Sequence, residues 1–375
     1  MSAYTLDAGL YTVPPVDEAH YLQLHQAPLA GSLLSLFPPY RYTRPEPRVL
    51  GARAFSDTLS GFCRALQAAP GDAGAATVEG VLRKAIVFGD AVYIAGDDGV
   101  RVLYESVRAA DRVEVGLPAD ADLRSIRRLP ADADHVFLGC IGSSNYGHFL
   151  TDDLTRLSMP RGDGSTVMLM TDHGPLMNAR REELLRLALS SHRFAVRFVD
   201  GREPLEVENL RYVSRATRHP ALKSPDAIAT MVERVMHGLG ADTKPQAGGK
   251  LLIARTGAGT RGLTNMTQIA GVLADAGFAV LDPIAASATE QVIACAQATC
   301  IIGVMGAAMS NTVFAQPGAT IVHLAPEGWL EPYYWDLAAV RGHDYCAVYG
   351  PSSGSEFPSR RAFTIDPALV IEAIA

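Results

Sequence analysis

The stretch that decides the fold is IIGVMGAAMSNTVFAQPGATIVHLAPEG, residues 301–328. It is apolar, glycine-rich and almost uncharged, a composition that suits a membrane span, a core or a ligand site. The run from Val292 to Met309 is about long enough to cross a bilayer at roughly 1.5 Å per residue. Its period changes on the way, however. Ser287 and Glu290 form a capping box that opens a helix ending near Ala298, CIIGV then reads as a strand, and a new helix opens at Gly306. A strand covered by helices on both faces is continuously apolar. The stretch is therefore expected at the buried centre of a sheet.

The same alternation continues on both sides. The polar, glycine-rich GADTKPQAGG, residues 240–249, reads as a domain boundary. After it, strands KLLIAR, FAVLDP, CIIGV, ATIVHLA and YCAVYG alternate with helices NMTQIAGVLADAG, SATEQVIACAQA, GAAMSNTVFA and PYYWDLAAVRG. Asn265 with Gln268 resembles a second capping box, and Gly277 and Gly342 stand at C-cap positions. This pattern is that of a doubly wound α/β domain.

Upstream, HVFLGCIG reads as a strand and NYGHFLTDDLTRLSM as a helix. TVMLMT, AVRFVD and LEVENLRYVS come next as strands, with helices at NARREELLRLALSS and SPDAIATMVERVMHGLG, which implies a mostly parallel sheet. KAIVFG, AVYIAG and RVLYESV read as a β-meander. The expected division is an irregular arm over 1–80, an α/β domain over 81–240, a second over 250–350, and a tail with a helix over 351–375.

Composition limits the function. With 375 residues the chain exceeds what one core usually serves, and 48% hydrophobic against 19% charged residues argues for packed structure. A net charge of −7 disfavours binding to nucleic acid or to an acidic membrane surface. The first residues show neither a basic start nor a continuous apolar segment, so no signal peptide or anchor is read. Five cysteines, scattered and without CxxC spacing, fit reduced thiols rather than disulfides or structural zinc. A cytoplasmic location without a transmembrane segment is the expectation.

Candidate chemistry gathers in three places. Gly306, Ala307 and Ala308 leave backbone accessible where a strand gives way to a helix N-terminus, a setting that favours phosphate or, equally, close packing of helix on strand. Arg255 ends KLLIAR, and the loop TGAGTRGLTN carries Arg261 and Asn265; an arginine at a strand's carboxyl end with a second six residues on suits a diphosphate, the alternative being two solvated arginines on a loop. In NYGHFLTDDLTRL, Leu150, Leu154 and Leu157 share an apolar arc at about 100° per residue, with His148 and Asp152 as i, i+4 neighbours opposite. Asp152 is a candidate base for deprotonating a hydroxyl, with His148 orienting it; the plainer reading is an exposed pair on a helix. Glu327, past ATIVHLA, is placed to accept from a ribose, though a surface glutamate is the commoner explanation; Arg211, Arg215, Arg218, His219 and Lys223 form either a rim for an acidic ligand or, the favoured reading, a solvated face. GxGxxG and GxSxG are both missing, which disfavours a dinucleotide-dependent oxidoreductase and a serine hydrolase.

Taken together, NYGHFLTDDLTRL, ARTGAGTRGLTN and IIGVMGAAMSNTVFAQPGATIVHL resemble glycosyltransferase family 61, over about Asp134 to Gly350 and most strongly from Lys250 to Pro326. That family includes eukaryotic xylosyl- and N-acetylglucosaminyltransferases and bacterial proteins of capsule or surface polysaccharide synthesis. The resemblance implies a GT-B fold, two Rossmann-like domains facing across a cleft, the first taking the acceptor and the second the donor. It also implies inverting transfer from a nucleotide sugar, expected to be a UDP-sugar, to a saccharide hydroxyl, with no bound metal or other cofactor. Arg255, Arg261 and Asn265 fall on the family's R…R…N loop, Gly306, Ala307 and Asn311 on its Gly-Ala…Asn motif, and His148 and Asp152 on a first-domain histidine and aspartate. Two positions depart: Met305 stands where a histidine is common, and Ala308 replaces a glycine. Met305 keeps a second class open, a noncatalytic nucleotide-sugar-binding or scaffold protein. Self-association is left open.

Overall fold

The computed structural model describes residues 21–51, 61, 74–96, 99–107, 126–240, 248–254, 262–329, 331–354 and 357–375. It is a mixed α/β chain that divides into two compact units: Met1–Tyr40, Gly74–His219 and Glu233–Gly238 form the first, and Arg41–Ala73, Pro220–Val232 and Leu239–Ala375 the second.

The first unit is built on a mixed sheet. Thr77–Phe88, Ala91–Gly96 and Gly99–Leu103 run as the expected antiparallel meander. Asp134–Phe137, Thr166–Thr171 and Ala195–Val199 are parallel to one another. The expectation of a mostly parallel sheet is corrected at Leu205–Val213, which pairs parallel with Asp134–Phe137 on one side and antiparallel with Thr77–Phe88 on the other. That strand welds meander to crossover half. Its alternation places Val207 in one core; along Thr77–Phe88, Ala85 and Val87 face that core while Ile86 faces a second. A valine or isoleucine side chain contributes about 1.5–3 kcal/mol on such burial.

The region expected to be an irregular arm supplies strands where it is described. Tyr21–Leu22 pairs with Val102–Leu103, and Leu34–Phe37 with the start of Thr77–Phe88. Arg48–Leu50 belongs to the other unit, where it is the edge strand beside Cys346–Val348.

The second unit carries a six-stranded parallel sheet in the order Ala279–Leu281, Gly249–Ile253, Ala298–Val304, Thr320–Pro326, Asp344–Gly350, Arg48–Leu50. Even-numbered residues Leu252, Ile302, Val304, Val322, Leu324 and Val348 face a core completed by Ile269, Leu273 and Val370. Odd-numbered residues turn to the other face, where Gly303 abuts Met309: a Cβ on Gly303 would lie 2.5 Å from the Met309 Sδ and 2.9 Å from the Ile253 oxygen. Both faces are filled, which is why the opening stretch is apolar throughout. No described helix is long and apolar enough to cross a membrane.

Local signals decide the helix ends. Ser287 caps Ala288–Ala296 in a reciprocal box with Glu290, and Gly342 closes Tyr333–Arg341 at φ 66°. Gly277, at φ 84°, comes just after Met266–Asp275. Asn265 precedes that helix without capping it; its amide donates to Gln268 and the Ile365 carbonyl instead. The helix expected at Gly306 is a 3-10 helix, Ala307–Phe314, and the tail carries Pro367–Ile374.

Candidate active site

The segment after Asp134–Phe137 positions the first group of candidate residues. Asn145 accepts from the Gly147 N–H at 2.9 Å and starts a helical turn, Tyr146–His148. Beyond His148 the chain departs from the regular α-helix expected there. Phe149–Asp153 is a π-helix and Leu154–Arg156 a 3-10 turn. The widened turn keeps His148 beside Asp152 and turns Asp153 inward. π-Turns of this kind occur often at functional sites.

His148 Nδ1 lies 2.9 Å from Asp152 Oδ2. The other carboxylate oxygen, Oδ1, accepts from the Thr217 hydroxyl at 2.7 Å and the Thr151 hydroxyl at 3.3 Å. Asp152 is 4% exposed, so the plain reading of an exposed helix pair does not hold. His219 sets its ring against His148 edge to face, with centroids 4.6 Å apart. Burial alone would raise the Asp152 carboxyl. The hydrogen bond and charge of His148, the charge of His219 and the Thr217 hydroxyl outweigh it and hold the group well below the usual carboxylate range. With Asp152 ionised, Nδ1 of His148 is the donor, and in the neutral ring Nε2 is then the basic nitrogen.

The residues behind this pair form an anchor. Arg156, 1% exposed, donates to Asp153 Oδ1 at 2.9 Å and to the Val213 carbonyl at 2.8 Å, with its guanidinium 4.9 Å from the Tyr212 ring. Cys140 sits behind the same segment, its thiol pushed up to about 12 by burial, with the Asp153 charge adding to it. Thr217 and His219 escape sequence reasoning because they lie far along the chain from Asp152. The solvated basic face read from the sequence is corrected in part: Arg218 is exposed and Arg215 and His219 are half-buried, but the other two members are not solvated. Arg211 is buried against Asp134, and Lys223, 2% exposed, donates to Asp336 at 2.7 Å. Arg44 and Tyr42 donate to the same Asp336 carboxylate, so it is surrounded by donors rather than water.

The second group belongs to the other unit. Gly306, Ala307 and Ala308 lie past the carboxyl end of Ala298–Val304 and open the 3-10 helix. Gly306 is extended, at φ 173°, so it is not there for a left-handed backbone. Asn311 is buried and donates to Gln291 at 2.9 Å, while Gln291 donates to the Pro283 and Ala286 carbonyls, tying this turn to the neighbouring helix. Asn265 spends its side chain on Ile365 through both its oxygen and its amide. Glu327, at the carboxyl end of Thr320–Pro326, is half-buried, and its N–H donates to the Gly350 carbonyl. Met305 is fully buried and its N–H donates to the Leu324 carbonyl, so it belongs to the core. Arg255 and Arg261 lie outside the described residues.

Among the described residues no group of three or more His, Cys, Asp or Glu side chains is placed to hold a metal ion. The four described cysteines, Cys140, Cys295, Cys300 and Cys346, are buried free thiols.

Comparison with known proteins finds a family match over part of the chain. The model for Glycosyltransferase 61 matches residues 146–322, which begins at the turn carrying His148 and Asp152 and ends within the strand after the Gly306 turn. No curated protein matches the chain.

Proposed function

We propose that this chain, whose residues 146–322 match the Glycosyltransferase 61 family model, is an inverting glycosyltransferase of that family with a GT-B fold. It moves a sugar from a nucleotide-diphosphate sugar, a UDP-sugar in our reading, to a saccharide hydroxyl in cytoplasmic synthesis of surface polysaccharide or glycoconjugate. The observation that carries the reading is the buried His148–Asp152 pair inside the family-matched segment.

The roles expected from the sequence are exchanged in this reading: His148 is the base and Asp152 its positioning partner. Both Asp152 oxygens are engaged, and its depressed carboxyl is a weak proton acceptor. Holding Nδ1–H, Asp152 fixes the tautomer in which Nε2 takes the proton of the acceptor hydroxyl as its oxygen attacks the anomeric carbon. Inversion then sets the departing nucleoside diphosphate on the opposite face of the sugar. Its growing charge is neutralised by Arg255 and Arg261 and met by backbone N–H groups at Gly306, Ala307 and Ala308. Glu327 contacts the ribose. No metal takes part in this reading.

The test is nucleoside diphosphate release from a panel of nucleotide sugars with and without saccharide acceptors. His148→Ala is expected to lower turnover by about 10²–10⁴-fold, the usual contribution of a general base. Arg255→Ala is expected to weaken donor binding. Release unchanged in His148→Ala would overturn the base assignment. A second reading is favoured by Met305, a core residue where the family often has histidine: a noncatalytic nucleotide-sugar-binding protein. Donor binding without release, unaffected by Asp152→Asn, would select it.

A further inference from the structure

Ser352–Ser353 and Ala362–Phe363 form an antiparallel strand pair outside the family-matched segment. It follows directly on Asp344–Gly350, so it starts at the carboxyl edge of the second unit's sheet. Its base is tied to two of the segments read as donor-binding. On one side the Phe363 N–H donates to the Gly262 carbonyl at 3.1 Å, and the Thr264 N–H donates to the Phe363 carbonyl at 2.9 Å. Asn265 adds a two-ended clasp, accepting from the Ile365 N–H at 3.1 Å and donating to the Ile365 carbonyl at 2.8 Å. On the other side the Ser352 hydroxyl donates to the Glu327 carbonyl at 3.3 Å.

These anchor points come after Gly249–Ile253 and Thr320–Pro326, the two strands that flank Ala298–Val304, from which the Gly306 turn leaves. At roughly 4.8 Å between neighbouring strands the flanking pair is about 10 Å apart. The strand pair therefore borders the same edge as the Gly306 turn. What it carries there is accessible. Phe357 is 68% exposed, the largest fraction for a bulky apolar side chain among the described residues, and Arg360 is exposed at the end of the 3-10 turn Pro358–Arg360. The Arg360 N–H donates to the Phe357 carbonyl at 2.8 Å and fixes their spacing. Residues 354–361 hold two arginines, Arg360 and Arg361, against one acid, Glu356, in a chain of net charge −7. A ring left in water beside a cation suits a ligand with a flat aromatic face and negative charge.

We propose that Phe357 and Arg360 bind the donor nucleotide: the Phe357 ring stacks on the nucleobase of a nucleoside diphosphate, and Arg360 adds a cation to its diphosphate. This rests on the nucleotide-sugar reading of the Gly306 turn and supplies the contact to the base that the turn itself does not make. Every base has a flat face, so the ring adds affinity rather than choice between bases. Because the strand pair lies outside the family match, these contacts are this chain's own.

Calorimetric titration of the full chain with UDP and UMP, or with GDP and GMP where the protein selects guanine, tests the proposal. Phe357→Ala is expected to weaken diphosphate and monophosphate alike by about tenfold, the size of one base–aromatic stack, with Tm unchanged because the ring is exposed. Phe357→Tyr is expected to restore both. Arg360→Ala is expected to weaken the diphosphate about fivefold and the monophosphate less. The proposal is overturned by an affinity that Phe357→Ala leaves unchanged, by a loss that Phe357→Tyr does not restore, or by a loss confined to the diphosphate in Phe357→Ala. An equal loss of both nucleotides in Arg360→Ala overturns the diphosphate contact. The two readings fail separately. A wild-type protein that binds neither UDP nor GDP removes the nucleotide-sugar reading and this proposal with it, whereas nucleotide binding that ignores Phe357→Ala removes only the proposal.

Discussion

The turn from Tyr146 to Arg156 and the turn from Met305 to Phe314 both come after a strand and both bear candidate chemistry, yet they are built in opposite ways. The first is polar and closed: Asp152, Asp153 and Arg156 are buried with their partners, and three kinds of helical turn succeed one another within eleven residues. The second is apolar and regular, with Met305, Met309, Val313 and Phe314 in the core and Asn311 tied to Gln291. Buried charge needs fixed geometry to offset its desolvation, whereas apolar packing needs only volume and shape. The polar turn thus concentrates its dependence on a few side chains, while the apolar one spreads it over a surface.

The sharpest way to break this comparison is to remove one partner from each side. In the polar turn, Arg156→Met strands the Asp153 carboxylate, whose Oδ2 already lacks a partner, and is expected to destabilise the protein by about 3–5 kcal/mol in urea unfolding. Asp153→Leu with Arg156→Met should recover much of that loss; if the double variant is no more stable than the single, the stranded charge is not the cause. The apolar turn gives a smaller effect. Gly303→Ala forces a Cβ against Met309 and the Ile253 carbonyl and is expected to cost about 1–3 kcal/mol, an overpacking penalty. Pairing it with Met309→Ala should relieve the side-chain part and leave the backbone part.

The smallest effect near neutral pH concerns histidines in the second unit. His323 is fully buried between Tyr334 and Tyr345, neither ring nitrogen has a partner, and burial lowers it to about 3. His343 is lowered to about 4. The unfolded chain takes up these protons below about pH 6.5 while the folded one does not, so both groups stabilise fully above that pH. Stability is then lost as pH falls from about 6.5 toward those lowered values. His323→Phe is expected to flatten the acid side of a stability-against-pH curve, and an unchanged slope would show that His323 protonates without unfolding.

Much of the second unit is legible in sequence because its signals are local. KLLIAR, CIIGV, ATIVHLA and YCAVYG are continuous apolar runs, and Ser287, Gly277 and Gly342 mark helix ends through the first hydrogen bonds or the backbone angle each supplies. Arg48–Leu50 escapes notice there because three residues carry no period, and only pairing with Cys346–Val348 makes them a strand. In the first unit, spacing brings out His148 and Asp152 but implies a regular helix for them. A π-turn differs by one residue in its hydrogen-bond step and leaves no mark on an apolar pattern. Arg211 and Lys223 look solvated in sequence because their partners Asp134 and Asp336 are remote along the chain.

By itself the sequence determined an α/β chain with a parallel sheet buried on both faces at residues 301–328, and the spacing that lets His148 meet Asp152. Only the tertiary structure decided that this pair is buried, that Thr217 holds its second oxygen, and that Met305 is core. Periodicity records which neighbours along the chain share a face. Burial, hydrogen-bond partners and the direction of a pKa shift depend on residues brought together from far apart, and no local pattern carries them.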